Sequence, residues 1–375
     1  MPTQKVIVAR IHSFAPKITP FVRTLSAPVR VHFDDKQIAY LDPKSELSAT
    51  YADVLQELHQ ASLNVYVEVN PESQMITDVQ VPVTGHLHYL EQDPGGELNF
   101  ALDSSQRRFS IQPSNPLYPD FQKILREAHE QQAMIIVTEN DEEEEIVDIR
   151  LAPNPTGPAL REAEGTAPAL VAPRLRPVTL QRATALFGMV HCQSCNPKTG
   201  APPCIPFLYA RDGCYARAHQ MCRLIIADGD EPGKIWNFGH LTVKTPNEPR
   251  CEVSWWFHVA PVLQVDTAGP LGPQLYIVDP SLFPGPVPVQ NWVAVQGNRP
   301  CDQKFTSSEP YLPQMNERFR YDPTYTKTEK DLAHYRAALR RRCGAHGPPP
   351  PPYAKCLEGA SASAVIAGPS SFTEK

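Results

Sequence analysis

The first 191 residues contain no cysteine, although nine occur in the 375-residue chain. A disulfide scaffold in that half is excluded, and two stretches with such different cysteine habits read as two modules. No apolar run approaches the ~18 residues that a membrane-spanning helix requires, so no helical span is expected. Positive charge is not in excess: 35 Lys and Arg face 41 Asp and Glu, a net charge of −6. That balance disfavours a general nucleic-acid binder. Met1–Phe14 shows neither a continuous apolar core nor a small-residue cleavage site, so no Sec signal is expected. Synthesis is then cytoplasmic, and export would need a signal-peptide-independent route. Proline, by contrast, is abundant: 41 residues, about twice the average usage of ~5%. This excludes an all-helical protein and predicts linkers, turns and edge strands.

Composition places the boundaries. Residues 152–178 are rich in Pro and Ala and lack a periodic apolar face, which predicts a semi-extended linker. Five consecutive prolines, 348–352, favour polyproline II, and the small-residue tail after them is expected to be disordered, a spacer and a loose end. The expected organisation is an N-terminal domain at 1–151, a linker at 152–178, a second domain at 179–346 and a tail at 347–375.

The N-terminal half repeats itself. With an offset of 70, Leu55/Leu125, Glu57/Glu127, His59/His129, Val67/Val137, Asn70/Asn140, Glu72/Glu142, Ile76/Ile146 and Asp78/Asp148 are identical. These are eight identities in the 28 positions 54–81, where chance at ~6% each gives about two. The units span about 39–82 and 109–152. Each predicts a helix, Tyr51–Ala61 or Tyr118–Glu130, followed by strands at 65–69 and 76–81 or at 134–138 and 146–151. Two duplicated α+β modules are therefore expected. The acidic run Asp141–Glu145 tempts a metal assignment, but its counterpart in the first copy is a plain turn, so a solvated loop is expected. His59 and His129 lie beside apolar neighbours and are expected to pack.

The chemistry lies in the second half. Tyr215, Ala218, Met221, Cys222 and Ile225 share one helical face, and Asp212-Gly213 is a good helix start. Cys214 then falls in the first turn, where unpaired backbone N–H groups and the positive dipole end favour thiolate. The same N–H groups suit an oxyanion. A thiolate nucleophile needs a base, and the base needs a group to orient it. His258 lies in the β-prone run Val253–Ala260, and Asp279 ends an apolar strand just before Pro280. By spacing alone a His in an aromatic strand is as readily core, and an Asp-Pro as readily a turn.

The segments DGCYARAH (212–219), WWFHVAPVL (255–263) and YIVDPSLF (276–283) resemble bacterial protein-glutaminase. The likeness extends over roughly 185–312 and includes IPFLYARDGC (205–214), KIWNFGHLTVKTPN (234–247) and PVPVQNW (286–292). It implies a papain/transglutaminase-like α+β catalytic domain with a Cys-His-Asp triad at Cys214, His258 and Asp279, and no cofactor. The implied substrate is a protein with an accessible glutamine, whose side-chain amide is hydrolysed through a Cys thioester. Transglutaminase or cysteine protease chemistry uses the same triad, and a catalytically silent binding protein is the alternative outside the enzymes. Family enzymes are commonly secreted with an inhibitory pro-region. Residues 1–150 carry no motif that resembles a particular family. Their repeats are read as a recognition or delivery module of an exported effector or toxin, ahead of a cis-inhibitory one.

Other candidates are weaker. His191, Cys192, Cys195 and Cys204 are open to zinc, disulfides or free thiols. His219, five residues after Cys214, points about 140° away around the helix and is expected to be structural. One of Trp255 and Trp256 should be core and the other should line the cleft. A closing helix is expected over 328–343, its basic end Arg340–Arg342 explained by the helix dipole.

Overall fold

The structure is a computed structural model. It describes residues 4–18, 24–141, 145–153, 175–196, 203–267, 272–297, 301–314, 318–343 and 351–358. Most of the expected 152–178 linker lies outside these residues.

The N-terminal half is two five-stranded antiparallel sheets, each carrying one helix. The first unit runs β1 (Lys5–Ala15), β2 (Val29–Phe33), β3 (Ile38–Leu41), α1 (Ser48–Gln60), β4 (Asn64–Val69) and β5 (Ile76–Gln80). The second runs β6 (Val83–Gln92), β7 (Leu98–Leu102), β8 (Arg108–Ile111), α2 (Tyr118–Gln131), β9 (Met134–Asn140) and β10 (Glu145–Leu151). The strand orders β3-β2-β1-β4-β5 and β8-β7-β6-β9-β10 correspond one for one. Pairing register repeats as well: Val67 opposite Val79 and Val137 opposite Ile149 differ by the same 70 residues. Alternating apolar residues form one face of each sheet, and that face is covered by its helix. Val54, Leu55 and Leu58 fill the first core, Phe121, Leu125 and Ala128 the second.

The second half is built on β12 (Gly233–Lys244) and β13 (Glu252–Asp266), the two long central strands. They are preceded by β11 (Val178–Thr179), α3 (Leu180–His191) and α4 (Cys214–Ala227). After them come β14 (Gln274–Ile277), β15 (Val287–Pro288), α5 (Val289–Ala294), β16 (Asp302–Thr306), β17 (Pro310–Pro313) and β18 (Phe319–Tyr321). The helices α6 (Thr326–Cys343) and α7 (Ala354–Glu358) close the chain. The sheet order is β15-β14-β13-β12-β16, with β11 added in parallel to β13. Helix α4 lies against β13, burying Tyr215, Ala218, Met221 and Ile225 against Phe257, Val259 and Leu263.

Three expectations change on contact with the structure. Asp141, the first residue of the acidic run, is not solvated, and residues 142–144 lie outside the described residues. Asp141 pairs with Arg342 at 2.7 Å and Arg211 at 3.2 Å, and both guanidiniums also reach the fully buried Glu248, at 3.1 and 2.5 Å. Nor does the helix dipole occupy the basic end of α6: Arg336 binds Glu57, Arg341 binds Asp78 and Arg342 binds Asp141, all in the N-terminal half. Finally, the start of the tail is not a loose end. A Cys251–Cys356 disulfide ties α7 to the turn before β13, and the Tyr353 N–H donates to the Pro246 carbonyl at 2.7 Å.

Burial alone would push the Asp141 carboxyl up, but Arg342 and Arg211 hold it well below the ordinary carboxylate range. A depressed native pKa means that this stabilisation is complete above the unfolded value of ~3.9 and is lost as the pH falls through the depressed range. Asp141→Ala, which leaves two buried guanidiniums short of a carboxylate, is expected to lower stability by about 3–5 kcal/mol at pH 7. Urea unfolding at pH 7 and again below pH ~4 checks this, the difference from the parent chain shrinking at the lower pH.

Candidate active site

Three different elements bring the site together. Gly213 caps α4 in the left-handed region, at φ +86°, and an added Cβ there would meet the Tyr335 ring at 2.4 Å. Only glycine fits this entry to the helix, and it makes Cys214 the first helical residue. His258 lies in the middle of β13, the strand packed under α4. Asp279 follows β14 by two residues, where Pro280 precludes a further ladder bond and frees the carboxylate to turn inward. All three are buried.

His258 Nε2 and Asp279 Oδ2 are 2.8 Å apart. The same oxygen accepts from Trp292 Nε1 at 3.0 Å, and Asp279 Oδ1 accepts from the Ser281 N–H at 3.1 Å. Burial would raise the Asp279 carboxyl, but the hydrogen bonds and charge of His258, together with Trp292, hold it below its ordinary value. The imidazole stacks between Trp255 and Trp292, with centroids 4.5 and 5.2 Å away. Its other nitrogen, Nδ1, is buried and unpartnered among the described residues. The Val259 N–H, next along β13, reaches the Cys214 thiol. One ring nitrogen is therefore anchored by a carboxylate and the other left available on the strand that bears against the thiol, the division of labour a general base requires.

Sequence reasoning missed what lies over Cys214. The hairpin loop Asp103–Arg107, between β7 and β8, crosses from the second N-terminal unit onto β13, which is open there because β14 pairs only with Val262–Val265. Arg107 bridges Trp255 in antiparallel fashion, and the Trp256 N–H donates to the Gln106 carbonyl at 2.9 Å. Trp256 Nε1 donates to the Ser105 carbonyl at 2.7 Å, and Asp212 accepts from the Ser105 hydroxyl at 2.5 Å and the Gln106 N–H at 3.2 Å. The Gln106 side chain enters the pocket, and its Oε1 accepts the Cys214 N–H at 2.8 Å. Gln106 Nε2 is buried with no partner among the described residues, an omission that costs about 1–3 kcal/mol. The one signal in the sequence is a departure from the repeat. The counterpart turn, Asp34–Gln37, is one residue shorter.

The loop also sets burial against the thiolate that the helix start favours. With its helix N–H already taken and solvent excluded, burial pushes the Cys214 thiol well above its ordinary value, against the opposing charge of Arg217 and the Val259 N–H. Trp255 is core, while Trp256 is partly buried and stacks on His88 of the N-terminal half at 4.1 Å. His219 is engaged elsewhere, with Nδ1 2.8 Å from Lys234 Nζ and Nε2 3.2 Å from the Asp322 carbonyl. Of the three clustered cysteines, Cys195 and Cys204 form a disulfide and Cys192 is exposed and free.

A family model described as glutaminase matches residues 183–296. Among solved structures, a mutant of pro-protein-glutaminase is similar at 23% identity and a TM-score of 0.51, covering 68% of this chain and 91% of that one. That likeness is one of fold, and it extends well outside residues 183–296. Protein-glutaminase from Chryseobacterium proteolyticum, solved by NMR, is 30% identical over 42% of this chain and 86% of its own. At a TM-score of 0.37 this second likeness is one of sequence. Comparison with curated proteins gave no match.

Because the loop seals the thiol, limiting iodoacetamide is expected to label Cys192 in the intact chain before Cys214. Peptide mapping of the labelled sites checks this; Cys214 labelled first would mean that the loop does not hold the pocket shut.

Proposed function

We propose a specific reaction for this chain, which belongs to the protein-glutaminase family: hydrolysis of glutamine side-chain amides in proteins to glutamate and ammonia, with Cys214 as nucleophile. The observation that carries this reading is the Gln106 amide held with its oxygen on the Cys214 N–H. It supports a pocket that takes a glutamine side chain, its amide oxygen at the helix N-terminus and its backbone alongside β13.

Each residue has a role in the proposed mechanism. Cys214 Sγ attacks the amide carbon, and its proton passes to His258 Nδ1. Negative charge grows on the amide oxygen, where the Cys214 N–H and the α4 dipole stabilise it. His258 returns the proton to the departing nitrogen, which leaves as ammonia. Water then attacks the thioester with His258 as base. Asp279 fixes the imidazole tautomer and stabilises the imidazolium, and Trp292 holds Asp279 in place. Cys214 supplies the nucleophile, His258 both base and acid, and Asp279 the orienting charge.

The placement of the N-terminal half favours a cis-acting role. A recognition or delivery module need not sit over Cys214, and this one covers it with Ser105–Arg107. The two disulfides fit an oxidising compartment, which favours the exported reading. No helix among the described residues is long and apolar enough to cross a membrane.

Ammonia release from a glutamine-containing protein, with a Cys214→Ala control, tests the reaction. Chain freed of its N-terminal half by limited proteolysis is expected to release ammonia, and the control none. Incorporation of an added amine, or new peptide termini, in place of ammonia and glutamate would show transglutaminase or protease chemistry. In the same assay Asp279→Asn is expected to lower kcat/KM by about 10²–10⁴-fold through the lost tautomer. Trp292→Phe, which removes one hydrogen bond to Asp279, is expected to lower it by about 10-fold.

A further inference from the structure

The side chain filling the Cys214 pocket is a glutamine, the residue type on which the proposed reaction acts. We propose that Gln106 is the enzyme's own substrate, deamidated in cis by Cys214; the inference rests on the deamidase reading of this site.

The amide orientation is fixed by hydrogen-bond chemistry. The Cys214 N–H can only donate, so the atom 2.8 Å from it is the carbonyl oxygen Oε1. Nε2, the nitrogen that would leave, is therefore turned to the other side, where it is buried and unpartnered among the described residues. A glutamine kept only for packing would be expected to satisfy both ends of its amide. This one satisfies only the end on which charge develops in the transition state.

The backbone is held as an extended substrate would be. Asp212 and Trp256 grip the Gln106 N–H and carbonyl, while Ser105 and Arg107 on either side are pinned by Asp212, Trp256 and Trp255. Side chains of an extended segment alternate, so this grip leaves Gln106 directed at the pocket. The first N-terminal unit supplies a natural comparison. Its corresponding turn carries Lys36, which is exposed, and has no such docking.

The step balances without any added oxidant or reductant. A bond forms between Cys214 Sγ and Gln106 Cδ, the Cδ–Nε2 bond breaks, and the thiol proton leaves on nitrogen as ammonia through His258. Water then adds at Cδ, the Cδ–Sγ bond breaks, and glutamate stands at 106 beside a restored thiol. Gln106 is fully buried in the docked state. Water therefore reaches the thioester only as the loop lifts, and the acyl-enzyme joining residues 106 and 214 persists until then.

Intact-mass and peptide-mapping mass spectrometry of the full chain, followed over time after purification, tests the inference. The same preparation is assayed on a soluble glutamine peptide, Cys214→Ala is the inactive control, and Gln106→Glu supplies the reference peptide. The expected result is conversion at residue 106 in the parent chain alone, as a gain of about 1 Da for glutamate or a loss of about 17 Da for the thioester. Equal conversion in Cys214→Ala would make the change spontaneous and overturn the inference. So would an intact Gln106 in a preparation that deamidates the added peptide. An intact Gln106 in a preparation inert on the peptide, with and without its N-terminal half, would overturn the deamidase reading beneath it.

Discussion

Arg211, Arg342 and Glu248 are buried around the partly buried Asp141, and this cluster dictates how the two halves meet. Two guanidiniums taken out of water must keep their carboxylates, because removing one partner leaves a charge uncompensated in a dry interior. Glu248 belongs to the second half and is held from behind by the tail, through the Tyr353 backbone bond to Pro246 and the Cys251–Cys356 disulfide. Asp141 directly follows β9. Fixing it fixes the second repeat unit, and a further ion pair from Arg107 to Glu139 of β9 steadies the hairpin loop. Gln106 reaches Cys214 because charges some distance from the pocket leave the N-terminal half little choice of position.

The pocket gives one backbone group two uses. The Cys214 N–H has no partner within its helix, because helices leave their first donors unsatisfied, and Gln106 Oε1 accepts it. In the proposed reaction the same donor serves the developing oxyanion of a substrate glutamine. Docking also governs the nucleophile. Under the loop, burial raises the Cys214 thiol well above its ordinary value; the proposed reaction requires a state in which the helix N-terminus favours the thiolate. His258 and Asp279 need no such change, since their hydrogen bond and the flanking Trp255 and Trp292 rings lie within the second half.

What could be read in the sequence was what depends on neighbours along the chain. The repeat showed at an offset of 70 because strand pairing and helix packing recur with that spacing, as Val67–Val79 and Val137–Ile149 illustrate. Asp212-Gly213 marked the helix start and Pro280 the strand end, which put Cys214 and Asp279 at positions of chemical use. The rest depended on partners far away. Asp141 looked solvated because Arg342 lies 201 residues on. The basic end of α6 looked like a dipole effect because its carboxylates are in the other half. Cys251 and Cys356, separated by 105 residues, carry no local sign of pairing. Gln106 lies 108 residues before the N–H it occupies, in a loop whose only oddity is one extra residue over its copy.

In the proposed reaction water, through a Cys214 thioester, replaces the nitrogen of a glutamine side chain. Running the reaction on a glutamine peptide in water enriched in oxygen-18, with the chain freed of its N-terminal half, tests it directly. The expected product is a glutamate carrying one heavy oxygen in its side-chain carboxylate, formed by the parent chain and not by Cys214→Ala. Heavy oxygen at a new peptide terminus, or an amide left unlabelled and unchanged, would contradict it.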